Sequence, residues 1–166
     1  MTPEQISQQL AADGLSVTYQ DSSPDPHILV PVESLIDAAK RLKHDPDLSF
    51  DSLMCLSGLD WPEHFEVVYH LFSYKHRHRV TLKVHCSKDN PTVPTVSQIW
   101  PTAEWHEREA FDLVGIKFDG HPDPRRILLP EDWEGHPLRK DDQPPTRWHD
   151  IPLTPQPSII ADEANK

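Results

Sequence analysis

Eleven histidines and 27 acidic side chains give this 166-residue sequence many groups able to bind metal or move protons. Spacing decides what they can do. His106-Glu107 opens like the zinc-protease helix motif, but the residue that should be the second histidine is Ala110, so that chemistry fails. His70, His76, His78 and His85 could form a metal group, the basis of a reading as a free-standing metal-dependent enzyme. On a hairpin, however, His70 and His85 need not face the same way, and the pair near the turn is solvated, so structural or surface roles outweigh a metal site. Glu104, Glu107, Glu109 and Asp112 share a helical stretch with Arg108. Glu104–Arg108 and Arg108–Asp112 have helix-pair spacing, worth about 0.3–0.5 kcal/mol each when exposed. An acid/base dyad needs two carboxylates converging on one pocket, which one helical turn does not show. With five glycines and no Gly-rich strand-to-helix turn, a phosphate or dinucleotide cradle is disfavoured, and no nucleophile elbow is present. Cys55 and Cys86 lie in strand-like apolar contexts and read as buried thiols of a reducing compartment. Two cysteines cannot hold an iron–sulfur cluster, which takes about four ligands. The residues give no sign that this chain performs chemistry on its own.

Composition narrows the partners. The chain is 36% hydrophobic with 18 prolines, a mean hydropathy of -0.62 and a formal net charge of -11. That charge argues against sequence-independent nucleic-acid binding, which needs basic surface to displace counterions. The proline content predicts that part of the chain lies extended over a surface. No apolar run has the length of a membrane span and MTPEQISQQL does not read as a signal peptide, so the expectation is a soluble, cytoplasmic chain.

The positioning elements can be read in order. Thr2 to Ala12 is a helix with Thr2 and Gln5 as a capping box, Pro3 in the first turn, Ile6 and Leu10 on one face and Gly14 as its stop. Leu15–Tyr19 and His27–Val30 are strands. Pro31 opens a second helix whose Val32, Leu35, Ile36, Ala39 and Leu42 form one apolar stripe, ending before Asp45-Pro46. Phe50–Leu59 is a strand, and Phe65–Cys86 a hairpin with its turn at Lys75–His78. Asn90-Pro91 and Val93-Pro94 break the pattern, and Thr95 with Gln98 caps a brief turn. Thr102 can cap a helix over Ala103–Val114 that stops at Gly115, followed by a strand through Ile116 and Phe118. This predicts an α+β fold, a small mostly antiparallel sheet packed with two or three helices, over residues 1–118. An extended proline-rich C-terminal arm follows, over residues 119–166.

The run Trp105–Asp142 is the densest mixture of charge, aromatics and proline. Beyond Gly120, prolines at 122, 124, 130 and 137 forbid regular structure, while Ile127, Leu128, Leu129, Trp133 and Leu138 supply apolar anchors beside Arg125, Arg126, Arg139 and Lys140. Such a segment suits a permanent partner contact. By composition, wrapping of the chain's own domain has equal weight. Gly120-His121-Pro122 and Gly135-His136-Pro137 form a short internal echo, each soon followed by paired basic residues.

At these residues a resemblance becomes specific. Glu107-Arg108-Glu109-x-x-Asp112-Leu113-x-Gly115-Ile116-x-Phe118-x-Gly120-His121-Pro122, then Arg125-Arg126-Ile127-Leu128, then Trp133-Glu134-Gly135-His136-Pro137-Leu138-Arg139-Lys140-Asp141 closely resembles the C subunit of the proton-pumping NADH-quinone oxidoreductase, the 30-kDa subunit family of respiratory complex I. Phe65–Leu71 and Pro91–Pro101 are similar to that family too, so the likeness covers roughly residues 50–142.

The resemblance implies a non-catalytic scaffold subunit of the peripheral arm, with no active site and no cofactor in this chain. FMN, iron–sulfur clusters, NADH and quinone are expected in other subunits. It implies the D subunit as main neighbour, with the B and I subunits close, and membrane contact only through the complex, on the cytoplasmic side of a bacterial inner membrane. Carried over, Glu107, Arg108, Glu109 and Asp112 become scaffold or interface charges. His121, Arg125, Arg126, Trp133, His136, Arg139 and Lys140 become docking elements. The equivalent subunit of a membrane-bound hydrogenase or another quinone-coupled complex is the near variant. The sequence departs from the family at Pro124, where leucine is common, and at Asp142-Gln143, in place of Tyr-Pro.

Overall fold

The computed structural model describes residues 1–22, 24–143 and 145–153. Helix α1, Pro3–Ala12, starts where Thr2 Oγ1 accepts the Gln5 N–H and the Gln5 side chain accepts the Thr2 N–H. Two short strands follow, β1 (Thr18–Gln20) and β2 (His27–Leu29). Val32–Ser34 is a single 3₁₀ turn leading into α2, Leu35–His44, so the helix that proline initiates begins with a tighter turn than the sequence suggests. Asp45 ends it in an extended conformation ahead of Pro46.

Three nine-residue strands form the body of the sheet: β3 (Ser52–Asp60), β4 (Phe65–Ser73) and β5 (His78–Cys86). The order is β1-β2-β5-β4-β3. Three of its pairings are antiparallel, whereas β2 runs parallel to β5, making the sheet mixed. One face carries Leu56, Val67, Tyr69, Leu71, Val80, Leu82 and Val84, which join Ile6, Leu10, Leu35, Ala39 and Leu42 of the helices in one core. Each such fully buried leucine contributes about 1.5–3 kcal/mol relative to exposure. The alternate residues of β4 and β5, among them Glu66, His70, Lys83 and His85, lie on the opposite face.

Thr92–Pro94 forms β6, which pairs in parallel with β7, Lys117–Asp119. By sequence these prolines are pattern breakers. A two-stranded ribbon tolerates them because its outer N–H groups need no ladder partner. Between β6 and β7 runs α3, Ala103–Val114, with Gly115 at φ +80° as its stop. Thr102 makes no cap bond; its hydroxyl donates to the Leu53 carbonyl and ties the helix start to β3. α3 rests on β3 through Gly58, where an added Cβ would lie 3.0 Å from Ile116 and 3.3 Å from Ala110. Residues 120–143 form turns and irregular chain, followed by a small hairpin of β8 (Arg147–Trp148) and β9 (Ile151–Pro152) that sequence periodicity does not announce. Residues 154–166 of the expected arm fall outside the described residues.

Candidate functional site at the end of helix α3

A helix leaves its last four carbonyls without intrahelical partners. In α3 all four are taken up. Gly115 N–H closes on Phe111 O at 2.9 Å, and the Leu138 N–H reaches Leu113 O at 2.9 Å. Arg139 Nε donates to Val114 O at 2.6 Å. Asp112 O accepts from Arg126 Nη1 at 3.1 Å and from His136 Nδ1 at 2.9 Å. Two guanidinium groups therefore meet the negative end of the helix dipole, where cations are favoured. The stretch beyond Gly120 completes the helix.

Asp112 is the centre of this junction and is fully buried. Its Oδ2 accepts the consecutive N–H groups of Ile127, Leu128 and Leu129 at 3.0, 2.7 and 2.9 Å, and Oδ1 accepts from Arg126 at 2.8 Å. Burial by itself raises the carboxyl's pKa, but the backbone donors and the guanidinium outweigh it and hold it below the ordinary value. Arg126 continues to the carbonyls of Trp133 and Gly135, both at 3.0 Å. Arg108 binds the Arg125 and Arg126 carbonyls at 3.0 and 3.1 Å and lies 3.5 Å from Asp123. The helical pairs expected between Arg108 and Glu104 or Asp112 are absent among the described residues, because the arm offers both Arg108 and Asp112 more donors and acceptors than a neighbouring turn does.

The sequence echo has a structural meaning. His121 Nε2 donates to Glu104 O at 3.0 Å, while its Nδ1 accepts the Asp123 N–H at 3.0 Å, which fixes the tautomer. His136 donates through Nδ1 to Asp112 O. Each Gly-His-Pro turn thus sets an imidazole on an α3 carbonyl, at points about 12 Å apart along the helix. Gly120 and Gly135 both have positive φ, +78° and +84°, the conformation the turns require. Asp142, one of the departures from the family pattern, accepts the His136 N–H at 3.0 Å and steadies the second turn.

Glu107 is also fully buried, on the other side of α3. It accepts from the Val96 N–H at 2.8 Å and from the Thr95 hydroxyl, and His121 lies 3.8 Å away. Here burial prevails over the donors, and the carboxyl titrates above its ordinary value. Beside it opens a cavity of about 380 Å³ lined by Arg108, Phe111, Phe118, His121 and Pro124. Thr95, Asp123 and Asp142 belong to this architecture too; the sequence marks Thr95 only as a turn cap and Asp142 only as a departure from the family pattern, and Asp123 carries no signal beyond polarity.

The remaining site residues face outward. Arg125 is 67% exposed and, among the described residues, forms its ion pair with Asp123. Glu109 and Lys140 are exposed; the Lys140 N–H donates to Asp60 at 2.8 Å and its ammonium lies over Trp61. Trp133 is half-buried against Trp148. Of the histidines proposed as a metal group, His70 bonds Thr81, His76 bonds Pro46 O and His78 bonds Leu48 O, so these do not converge. Among the described residues, His64, Glu66 and His85 bring ligand atoms within 4.8 Å of one another.

Residues 28–147 match the sequence model of a family described as respiratory-chain NADH dehydrogenase, 30 Kd subunit. The chain belongs to this family. The 30 Kd family match contains the whole α3 junction. The C subunit of the NADH-quinone oxidoreductase of Roseiflexus castenholzii is 54% identical over 112 residues, 66% of this chain and 64% of that protein. The chain therefore aligns with somewhat less than two thirds of that relative. The corresponding C subunit of Chlorobium phaeobacteroides is 42% identical over 160 residues, 89% of this chain and 96% of that one. The trypsin-resistant fragment 1-134 of Nqo5 superposes with a TM-score of 0.60 at 31% identity, covering 72% of this chain and 97% of the fragment. A chain of the membrane-bound sulfane sulfur reductase, an archaeal respiratory membrane complex, gives a TM-score of 0.71 at 25% identity over 84% of this chain and 85% of that one. Among the described residues no helix is long and apolar enough to cross a membrane.

Proposed function

We propose that this 30 Kd-family chain is a non-catalytic scaffold subunit of the peripheral arm of a proton-translocating NADH:quinone oxidoreductase. In this reading it supports electron transfer from NADH through FMN and iron–sulfur clusters, held by other subunits, to quinone. Residues 1–118 serve as the domain and 119–166 as the partner-wrapping arm. Partners are the D, B and I subunits, on the cytoplasmic face of a bacterial membrane, with membrane contact through the complex and no nucleic acid.

The supporting observation is the division of labour at α3. Asp112, Arg126, His136 and Arg139 hold the arm from within, and this presents Arg125, Leu128 and Leu138 outward, the two leucines 61% and 60% exposed, with Trp105 60% exposed on the helix itself. Large apolar side chains beside an arginine are the usual anchors of a permanent interface. Tagged Leu128→Asp/Leu138→Asp protein should keep the thermal transition of the isolated chain yet fail to co-purify large subunits carrying iron and flavin. Normal assembly of that variant would remove the docking role.

A second reading follows from the superposition on the archaeal respiratory complex: the equivalent subunit of a related membrane-bound complex. Flavin and NADH-dependent quinone reduction in the co-purified particle favour the first reading. A particle lacking both favours the second.

A further inference from the structure

We propose that His64, Glu66 and His85 form a binding site for one divalent transition-metal ion of the zinc type, on the sheet face opposite the helices. This is independent of the scaffold reading.

The fold builds the site without help from a partner. Glu66 and His85 are direct cross-strand partners in the β4–β5 ladder, which fixes both side chains on one face. His64 enters immediately before β4. His85 Nε2 lies 3.0 Å from Glu66 Oε2, and all three ligand atoms fall within 4.8 Å. In a tetrahedral site with bonds of about 2.0–2.1 Å, ligand atoms stand about 3.3 Å apart. Closing the set therefore asks for a movement of about 1–1.5 Å, on the order of a side-chain rotation by His64, which lies outside the ladder.

Two further observations point to an ion. His64 Nε2 is buried and has no hydrogen-bond partner among the described residues. A buried polar nitrogen left unpaired is uncommon and calls for an explanation, which a coordinated cation supplies. The His64 and His85 rings also lie 3.9 Å apart at 34°. The two imidazoles are thereby close enough for one ion to take a nitrogen from each. Glu66 is oriented for the same task. Trp61 Nε1 and Lys83 Nζ, each 3.3 Å away, take its Oε1 and leave Oε2 beside the imidazoles. Of the other charges nearby, Lys88 pairs with Asp60 at 2.7 Å, and Glu63 adds a negative charge facing His64. His85 is 41% exposed, so water reaches the fourth position.

The test is zinc titration of the full chain by calorimetry, repeated with cobalt to read its tetrahedral absorption bands. One ion per chain with a Kd of about 10 µM or tighter is expected, and His64→Ala and His85→Ala should each weaken it at least about tenfold, or ~1.4 kcal/mol. Circular dichroism is the check that the variants fold, and Glu66→Gln offers an isosteric alternative should an alanine variant unfold. The proposal is overturned by the absence of saturable binding below about 100 µM. Unchanged affinity in either histidine variant overturns it equally, since the ion would then reside elsewhere.

Discussion

Arg126 grips Asp112 twice, donating to its carboxylate at 2.8 Å and to its main-chain carbonyl at 3.1 Å. One side chain thereby caps the helix and neutralises the buried acid that gathers the arm's N–H groups. The pair is internal, with Arg126 14% exposed, so an arginine that the resemblance makes a docking element is bound up in the chain's own fold.

Removing the acid should undo this junction. Asp112→Ala leaves three N–H groups without their acceptor and strips Arg126 of its carboxylate partner, and loss of one member of a buried pair costs about 3–5 kcal/mol. Urea denaturation should show that loss. Hydrogen exchange should show Ile127, Leu128 and Leu129 losing protection before the β4–β5 ladder does.

Acid should do the same reversibly. The Asp112 carboxyl is depressed in the folded chain, so its contribution is complete above the unfolded value of about 3.9 and disappears as pH falls through the lower folded value. Protection factors at residues 127–129, taken against the intrinsic exchange rate at each pH, should fall at the acid end of a titration and be unremarkable at neutrality. Equal protection at both ends would contradict the assignment.

Glu107 has the opposite sign. Its pKa is raised, so the native chain holds its proton more tightly than the unfolded chain, and stability is lost as pH rises from about 4.3 through the folded value. Glu107→Gln keeps an acceptor for Val96 and a donor for Thr95 without the charge. The variant should melt higher than the parent at pH 7 and converge with it below about pH 4. A lower melting temperature at pH 7 would show that the carboxylate is stabilising.

Gly115 allows no side chain. At φ +80° an alanine is strained, and its Cβ would run into Arg139 and His136. Gly115→Ala should cost about 1–2 kcal/mol in thermal unfolding. In an Arg139→Ala background the penalty should shrink, and a double-mutant cycle measures the coupling.

Most of the domain was legible because its signals are local. The Thr2–Gln5 box, the stripe of α2, the alternation of β4 and β5 and the Gly115 stop all follow from spacing within a turn or a strand. The β6–β7 pairing was not, since Val93 and Phe118 meet across 24 intervening residues and each strand is only three long. The site was legible as a cluster of residue types but not as a geometry. Asp112 and Arg126 each look like surface charges, and only the fold reveals that they face one another. The histidine group weighed from the sequence did not include His64, a loop residue outside the strand pattern, whose ring the fold sets 3.9 Å from that of His85.

The carbonyls at the end of α3 receive their donors from Arg126, His136, Leu138 and Arg139, all of which emerge from the ribosome after the helix itself. The nascent helix must therefore wait with its final turn bare to water until about 25 further residues have been synthesised, roughly one to five seconds at ordinary elongation rates. Translation thus sets the earliest moment at which that end of the protein can lock.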